Sequence, residues 1–135
     1  MEKSHDIFAE PHRGTPNWFN MLAWILPVGI LAQFLTAGLG LFLDPGALGI
    51  HGAIGFSVSL PVIGLLAGSL LVQHLRGLGW WAGIVTALYS IQIALAAGGA
   101  GLPLSLHPVN GALLLSASLV LLAKVERRRS RASLA

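Results

Sequence analysis

The sequence contains no cysteine. Disulfides, thiolate metal sites and haem attached through Cys-x-x-Cys-His are thereby excluded, and any cofactor must be held non-covalently. Charge is scarce as well. Lys and Arg number eight and Asp and Glu five, and between Asn17 and Ala123 only Asp44 and Arg76 are charged. Such a stretch cannot give each element of a soluble domain a solvated face. Hydrophobic residues make up 55% of the chain, and they fall into four runs that each supply the roughly 20 apolar residues needed to cross a bilayer. The composition specifies an integral membrane protein.

Residues 1–16, MEKSHDIFAEPHRGTP, are hydrophilic and mix acids with bases. The run that follows is too long for a signal-peptide core and has no clear small-x-small cleavage site, so it reads as a retained first span. The expected spans are residues 17–43, 47–74, 79–97 and 103–124, which together form an all-α, up-down four-helix bundle. Asp44-Pro45-Gly46 ends the first span, Arg76-Gly77 stops the second, and Gly98-Gly99-Ala100-Gly101 separates the third from the fourth. Pro103 suits the opening turn of the fourth. Pro27, Pro61 and Pro108 lie inside or near helix starts, where neighbouring helices can satisfy the freed carbonyls.

Lys3, Arg13, Arg76 and the basic tail at 126–135 all belong to one side, while the first and third connections carry no Lys or Arg. The expected orientation therefore has both termini cytoplasmic in a cell membrane, with Trp18, Trp80 and Trp81 at the cytoplasmic interface. The net charge of +3 is no nucleic-acid signal, because Lys124, Arg127, Arg128, Arg129 and Arg131 gather in that one tail. A basic flank of this kind fixes topology and can also hold anionic lipid.

The chain also reads as a tandem repeat. Gln33 and Gln92 lie at similar depths on the first and third spans, 59 residues apart; His51 and His107 open the second and fourth, 56 apart. Each Gln is followed by a small-residue stretch, a loop and then His-x-x-x-Gly, as in "IHGAIG" and "LHPVNG". Two parallel two-helix repeats would be related by an axis along the membrane normal.

A histidine inside a membrane span is a functional hypothesis by default. His51 and His107 lie about one turn inside the outer ends of parallel spans. At helix spacings of about 8–10 Å the diagonal of the bundle leaves room for two imidazoles with an iron between them. Gly55 and Gly111, one turn further on the same faces, would leave volume beside each ring for a porphyrin. Gln33, Gln92, Asn110, Ser57 and Ser59 are candidates to accept the second ring N–H of each histidine. No Lys or Arg lies at that end to pair propionates. Ordinary interhelical hydrogen bonding is the competing reading, and zinc would need a third or fourth ligand. His74 reads as a headgroup-level residue, and His5 and His12 as solvated. Gly64-x-x-x-Gly68 and Gly79-x-x-x-Gly83 read as close helix contacts.

The stretches "LAQFLTAGLG…HGAIG" and "SIQIALAAGGAG…LHPVNG" resemble one four-helix half of the heme A synthase family. They are also similar to small four-helix cytochrome-b-like membrane proteins whose last helix begins Leu-His-Pro-x-Asn. The resemblance covers most of residues 30–115 and implies haem ligation by His51 and His107. The synthase has two such halves and a catalytic acid that these spans lack, so the resemblance implies haem binding without the synthase reaction.

The expected function is a membrane protein that binds one haem b through His51 and His107 and transfers electrons, linked to a quinol or as a subunit of a larger redox complex. If it is an enzyme, it is a membrane oxidoreductase component. The other reading is a cofactor-free accessory subunit whose histidines are packing or quinone contacts. Neither involves nucleic acid.

Overall fold

A computed structural model describes residues 14–133 of the chain. His5, His12, Lys3 and Arg13 lie outside the described residues. Within them the protein is an all-α bundle of four helical spans, each long and apolar enough to cross a membrane. It is a multi-pass membrane protein set in a lipid bilayer, where helices satisfy their own backbone polar groups.

The first span is α1, Asn17–Phe42. It ends at a turn in which the Gly46 N–H donates to Asp44 Oδ1 at 2.9 Å, a local substitute for a backbone turn bond. The second span, expected as one helix to residue 74, is two. Helix α2 covers Ala47–Ser57 and α3 covers Ser59–Leu71, with the break at Val58. Pro61 is the reason: it has no N–H for the Ser57 carbonyl, and its ring crowds that carbonyl. The span then closes early, in a 3-10 segment over Gln73–Leu78 whose Leu75 and Leu78 are buried.

Helix α4, Gly79–Ala97, is the third span. The loop after it turns on Gly99 and Gly101, both at positive φ (72° and 67°), a conformation that glycine adopts without steric cost. Helix α5 starts with Pro103 in its first turn and runs from Leu102 to Ala132, well past the residue 124 expected from hydropathy. Hydropathy falls at the end of the bilayer, but Lys, Glu and Arg are good helix formers. Arg129 and Arg131 also suit the negative end of the helix dipole.

The spans form a ring in which α1 packs on α2, α3 and α5, and α4 packs on α3 and α5. The second and fourth spans are diagonal, as are the first and third. Full burial concentrates at the end that carries the start of α1 and the finish of α5, in Phe19, Leu26, Leu65, Leu75, Leu121 and Val125. Gly64 and Gly68 let α1 approach α3 closely: a methyl at Gly68 would lie 2.6 Å from Trp18 Cη2, and one at Gly64 2.5 Å from Leu22 Cδ1. The Gly79/Gly83 pattern is different. A methyl at Gly83 meets nothing within 4 Å, so that glycine makes no close helix contact among the described residues.

At the opposite end the packing is looser. Ala47 is the only buried residue of α2, and α2 touches α1 but makes no backbone approach to α4. The break at Val58 lets α3 lean on α4 while α2 stays away from it.

Candidate functional site

The gap left between α2 and α4 is the mouth of an apolar cavity of about 320 Å³, at the small end of the range for ligand pockets. Its walls repeat. Ile30, Gln33, Phe34 and Ala37 of α1 line it, and so do Tyr89, Gln92, Ile93 and Ala96 of α4. Each set is spaced i, i+3, i+4, i+7, a single helix face, and each member is 59 positions from its counterpart. From the even spans come His51, Gly52, Gly55 and Val58, matched 56 positions later by His107, Pro108, Gly111 and Leu114. Phe56 lines the cavity without a counterpart. Gln33, His51, Gly55, Gln92, His107 and Gly111 therefore meet in one place, whereas Asn110, Ser57 and Ser59 do not line the cavity.

The two imidazoles face each other across the diagonal, with ring centres 6.1 Å apart and planes at 62°. Both are half-buried. His51 is held firmly. Its Nδ1 donates to the Gln33 carbonyl oxygen at 3.0 Å, and Gln33 Nε2 donates to the His51 carbonyl oxygen at 2.8 Å. Because a carbonyl can only accept, Nδ1 carries the proton and Nε2 keeps a free lone pair. Thr36 Oγ1 lies 3.3 Å from the same Nδ1 and donates to Ala32 O.

His107 is held differently. Asn110 Nδ2 donates to Gln92 Oε1 at 2.6 Å and to Leu88 O at 2.9 Å. That fixes the Gln92 amide with its Nε2 toward His107 Nε2, at 3.1 Å. The imidazole nitrogen then accepts, and the proton sits on Nδ1, which is buried with no partner among the described residues. A buried N–H left in this way is uncommon. The repeat is thus matched in placement and broken in hydrogen bonding.

The glycines hold a contact the sequence did not suggest. A methyl at Gly55 would lie 3.2 Å from Gln33 Oε1, and one at Gly111 3.2 Å from Gln92 Nε2 and 3.3 Å from Phe34 Cζ. The space beside each glycine is used by the glutamine of the preceding span. Asn110, expected to accept a ring N–H, instead donates to Gln92 Oε1 and Leu88 O and bonds neither imidazole. Nor do Ser57 and Ser59: their hydroxyls donate to Ala53 O and Phe56 O of their own chain segment. Tyr89, Phe34 and Thr36 were not anticipated. Tyr89 matters most, since its hydroxyl donates to Gly55 O at 2.9 Å and so ties α4 to α2 across the mouth. Position Tyr89 lies three before Gln92 on the same face, which is the signal that could have found it.

His74 sits in the 3-10 segment, remote in sequence from both histidines, at the end of the chain's second span. Among the described residues no group of three or more His, Cys, Asp or Glu side chains comes together, so no zinc site of three or four protein ligands is built.

No curated protein sequence and no solved structure matches the chain. A family model does, over residues 33–100, a match that opens on Gln33, includes His51, Gly55, Tyr89 and Gln92, and stops before His107. Covering half of the sequence, it shows that the chain belongs to the family of unknown function DUF6220.

Proposed function

We propose that this protein binds one haem b between His51 and His107 and transfers electrons through it, in exchange with a quinol or within a larger membrane redox complex. The observation that carries the reading is the separation of the two rings. Two imidazoles on opposite sides of one metal, each bonded at about 2.0–2.1 Å, have ring centres roughly 6 Å apart, and here the distance is 6.1 Å. They reach it from diagonal helices and over an apolar cavity.

The residues fit such a group. His51 already has the ligand's arrangement, with one nitrogen fixed by a backbone carbonyl and the other free. His107 is incompletely satisfied, with Nδ1 buried and unpaired; ligation requires the Gln92 amide to withdraw from Nε2, and Asn110 is placed to keep that amide. A haem held by His51 and His107 would supply one-electron transfer. The protein's own part is to orient the imidazoles, exclude water with Ile30, Phe34, Val58 and Leu114, and keep Tyr89 across the mouth. The positive-inside distribution supports a cell-membrane protein with both termini in the cytoplasm.

One observation favours a second reading, a cofactor-free accessory subunit. The Gln92–Asn110–His107 contacts and the glutamines packed on Gly55 and Gly111 form a polar network that needs no metal. Iron analysis separates the two. Protein purified after expression with added haem should carry one iron per chain, and His51→Ala and His107→Ala should each lose it. A wild type free of iron establishes the accessory reading instead.

A further inference from the structure

The end of the bundle where α5 finishes carries a second arrangement, independent of the histidines. Six cations gather there: Arg76 from the 3-10 segment and Lys124, Arg127, Arg128, Arg129 and Arg131 from α5. Among the described residues only one carboxylate, Glu126, is near them, since Asp44 lies at the other end. Glu126 is turned toward α1. It accepts from Trp24 Nε1 at 2.8 Å and, with the Asn20 amide oriented to satisfy both neighbours, from Asn20 Nδ2 at 2.8 Å. Asn20 Oδ1 in turn accepts from Arg129. Lys124 is also engaged, with Nζ 5.7 Å from the centre of the Trp81 ring, within cation–π range.

Among the described residues, neither Arg76 nor Arg128 is paired with a carboxylate or an aromatic ring. Buried Leu75 and Leu78 anchor the 3-10 turn to the core and leave Arg76 and Gly77 facing outward. Arg128, half-buried, crosses from α5 to the same turn, its Nη1 3.8 Å from where a Cβ would stand on Gly77. The Arg128 guanidinium thus lies against the turn that carries Arg76, beside a glycine that fills no space. Two arginines at one turn attract an anion, and guanidinium groups match phosphate oxygens in geometry as well as charge. Exposed Trp80 lies in the first turn of α4 and exposed Trp18 in that of α1, and tryptophans of this kind mark headgroup depth.

We propose that Arg76 and Arg128 form a binding site for the phosphodiester of an anionic phospholipid. The site lies at the level of the lipid headgroups, and the lipid supplies the charge that Glu126 cannot. Arg127 and Arg131 contribute only diffuse attraction.

The test uses full-length protein reconstituted in phosphatidylcholine vesicles with a minor share of phosphatidylglycerol, then extracted in detergent at high salt, which screens diffuse attraction. Mass spectrometry reads the ratio of the two lipids retained. Wild type should be enriched in phosphatidylglycerol. The enrichment should fall by about fivefold per arginine, the equivalent of one cation's attraction to an anionic leaflet, in Arg76→Gln and again in Arg76→Gln/Arg128→Gln. Arg127→Gln/Arg131→Gln removes the same charge and should leave it unchanged. Because Arg76 is exposed, its single variant tests the site without a folding defect. Equal losses in the two double variants overturn the proposal in favour of a diffuse basic surface. Displacement of the lipid by inorganic phosphate alone overturns the lipid assignment.

Discussion

Gln33 and Gln92 hold equivalent positions and treat their histidines differently. Gln33 leaves the His51 ring to its own backbone carbonyl, so Nε2 stays free, whereas the Gln92 amide covers Nε2 of His107. Gln92→Leu therefore removes a competitor for His107 as well as two side-chain hydrogen bonds. Side-chain hydrogen bonds within membranes are worth about 0.6 kcal/mol each on average, so this variant should lose only about 1 kcal/mol of stability while keeping haem, as read by thermal unfolding and absorbance together. Loss of haem would show instead that the amide supports the ligand. Gly111→Leu should do the reverse. Its side chain enters a cavity where even a methyl lies 3.2 Å from the Gln92 amide. Overpacking of about 1–3 kcal/mol exceeds the helix-propensity gain of up to about 1 kcal/mol, and haem binding should disappear with the helical circular dichroism intact. His, Gln and their following glycines were legible in the sequence because polar residues stand out in apolar runs. Tyr89, Phe34 and Thr36 were not, since an aromatic or a threonine at helical spacing looks the same whether it lines a cavity or fills a core.

Among the elements, the broken second span matters most to the site. Pro61 ends the hydrogen bonding of the Ser57 carbonyl, and α2 diverges from α4 while α3 stays against it. Pro61→Ala should restore a continuous helix and bring α2 toward α4. The absence of native cysteine makes this measurable with spin labels at Phe56→Cys and Ile93→Cys on opposite sides of the mouth. The inter-label distance should shorten in the Pro61→Ala background, and an unchanged distance would show that proline does not set the opening. Gly68→Leu tests the tight end. Its side chain would drive into Trp18 and Phe19, so a destabilisation of about 1–3 kcal/mol is expected in thermal unfolding. The number of spans and the positions of their loops could be read from hydropathy and turn residues. The break at Val58 could not, because a proline near a membrane helix is tolerated or disruptive according to what packs around it. Nor could the extension of α5 to Ala132, because hydropathy reports the bilayer and not the end of the helix.

At the scale of the whole molecule, the two ends are built differently. One is packed closely and rimmed by arginines; the other is loose, apolar and lined by two matched halves that bring His51 and His107 together. The four-span architecture followed from four long apolar runs between turn residues, since helices of that length satisfy their own backbone in lipid. Haem at a single depth cannot carry electrons across the full bilayer, so on this account the protein exchanges them on the side of its histidines. The most direct test of haem ligation is a dithionite-reduced-minus-oxidised absorption spectrum of the purified protein, recorded beside His51→Ala and His107→Ala. The account predicts a sharp low-spin haem spectrum in the wild type that is lost or converted to high spin in each variant. A colourless wild type after expression with ample haem, or a low-spin spectrum that survives both substitutions, would contradict it.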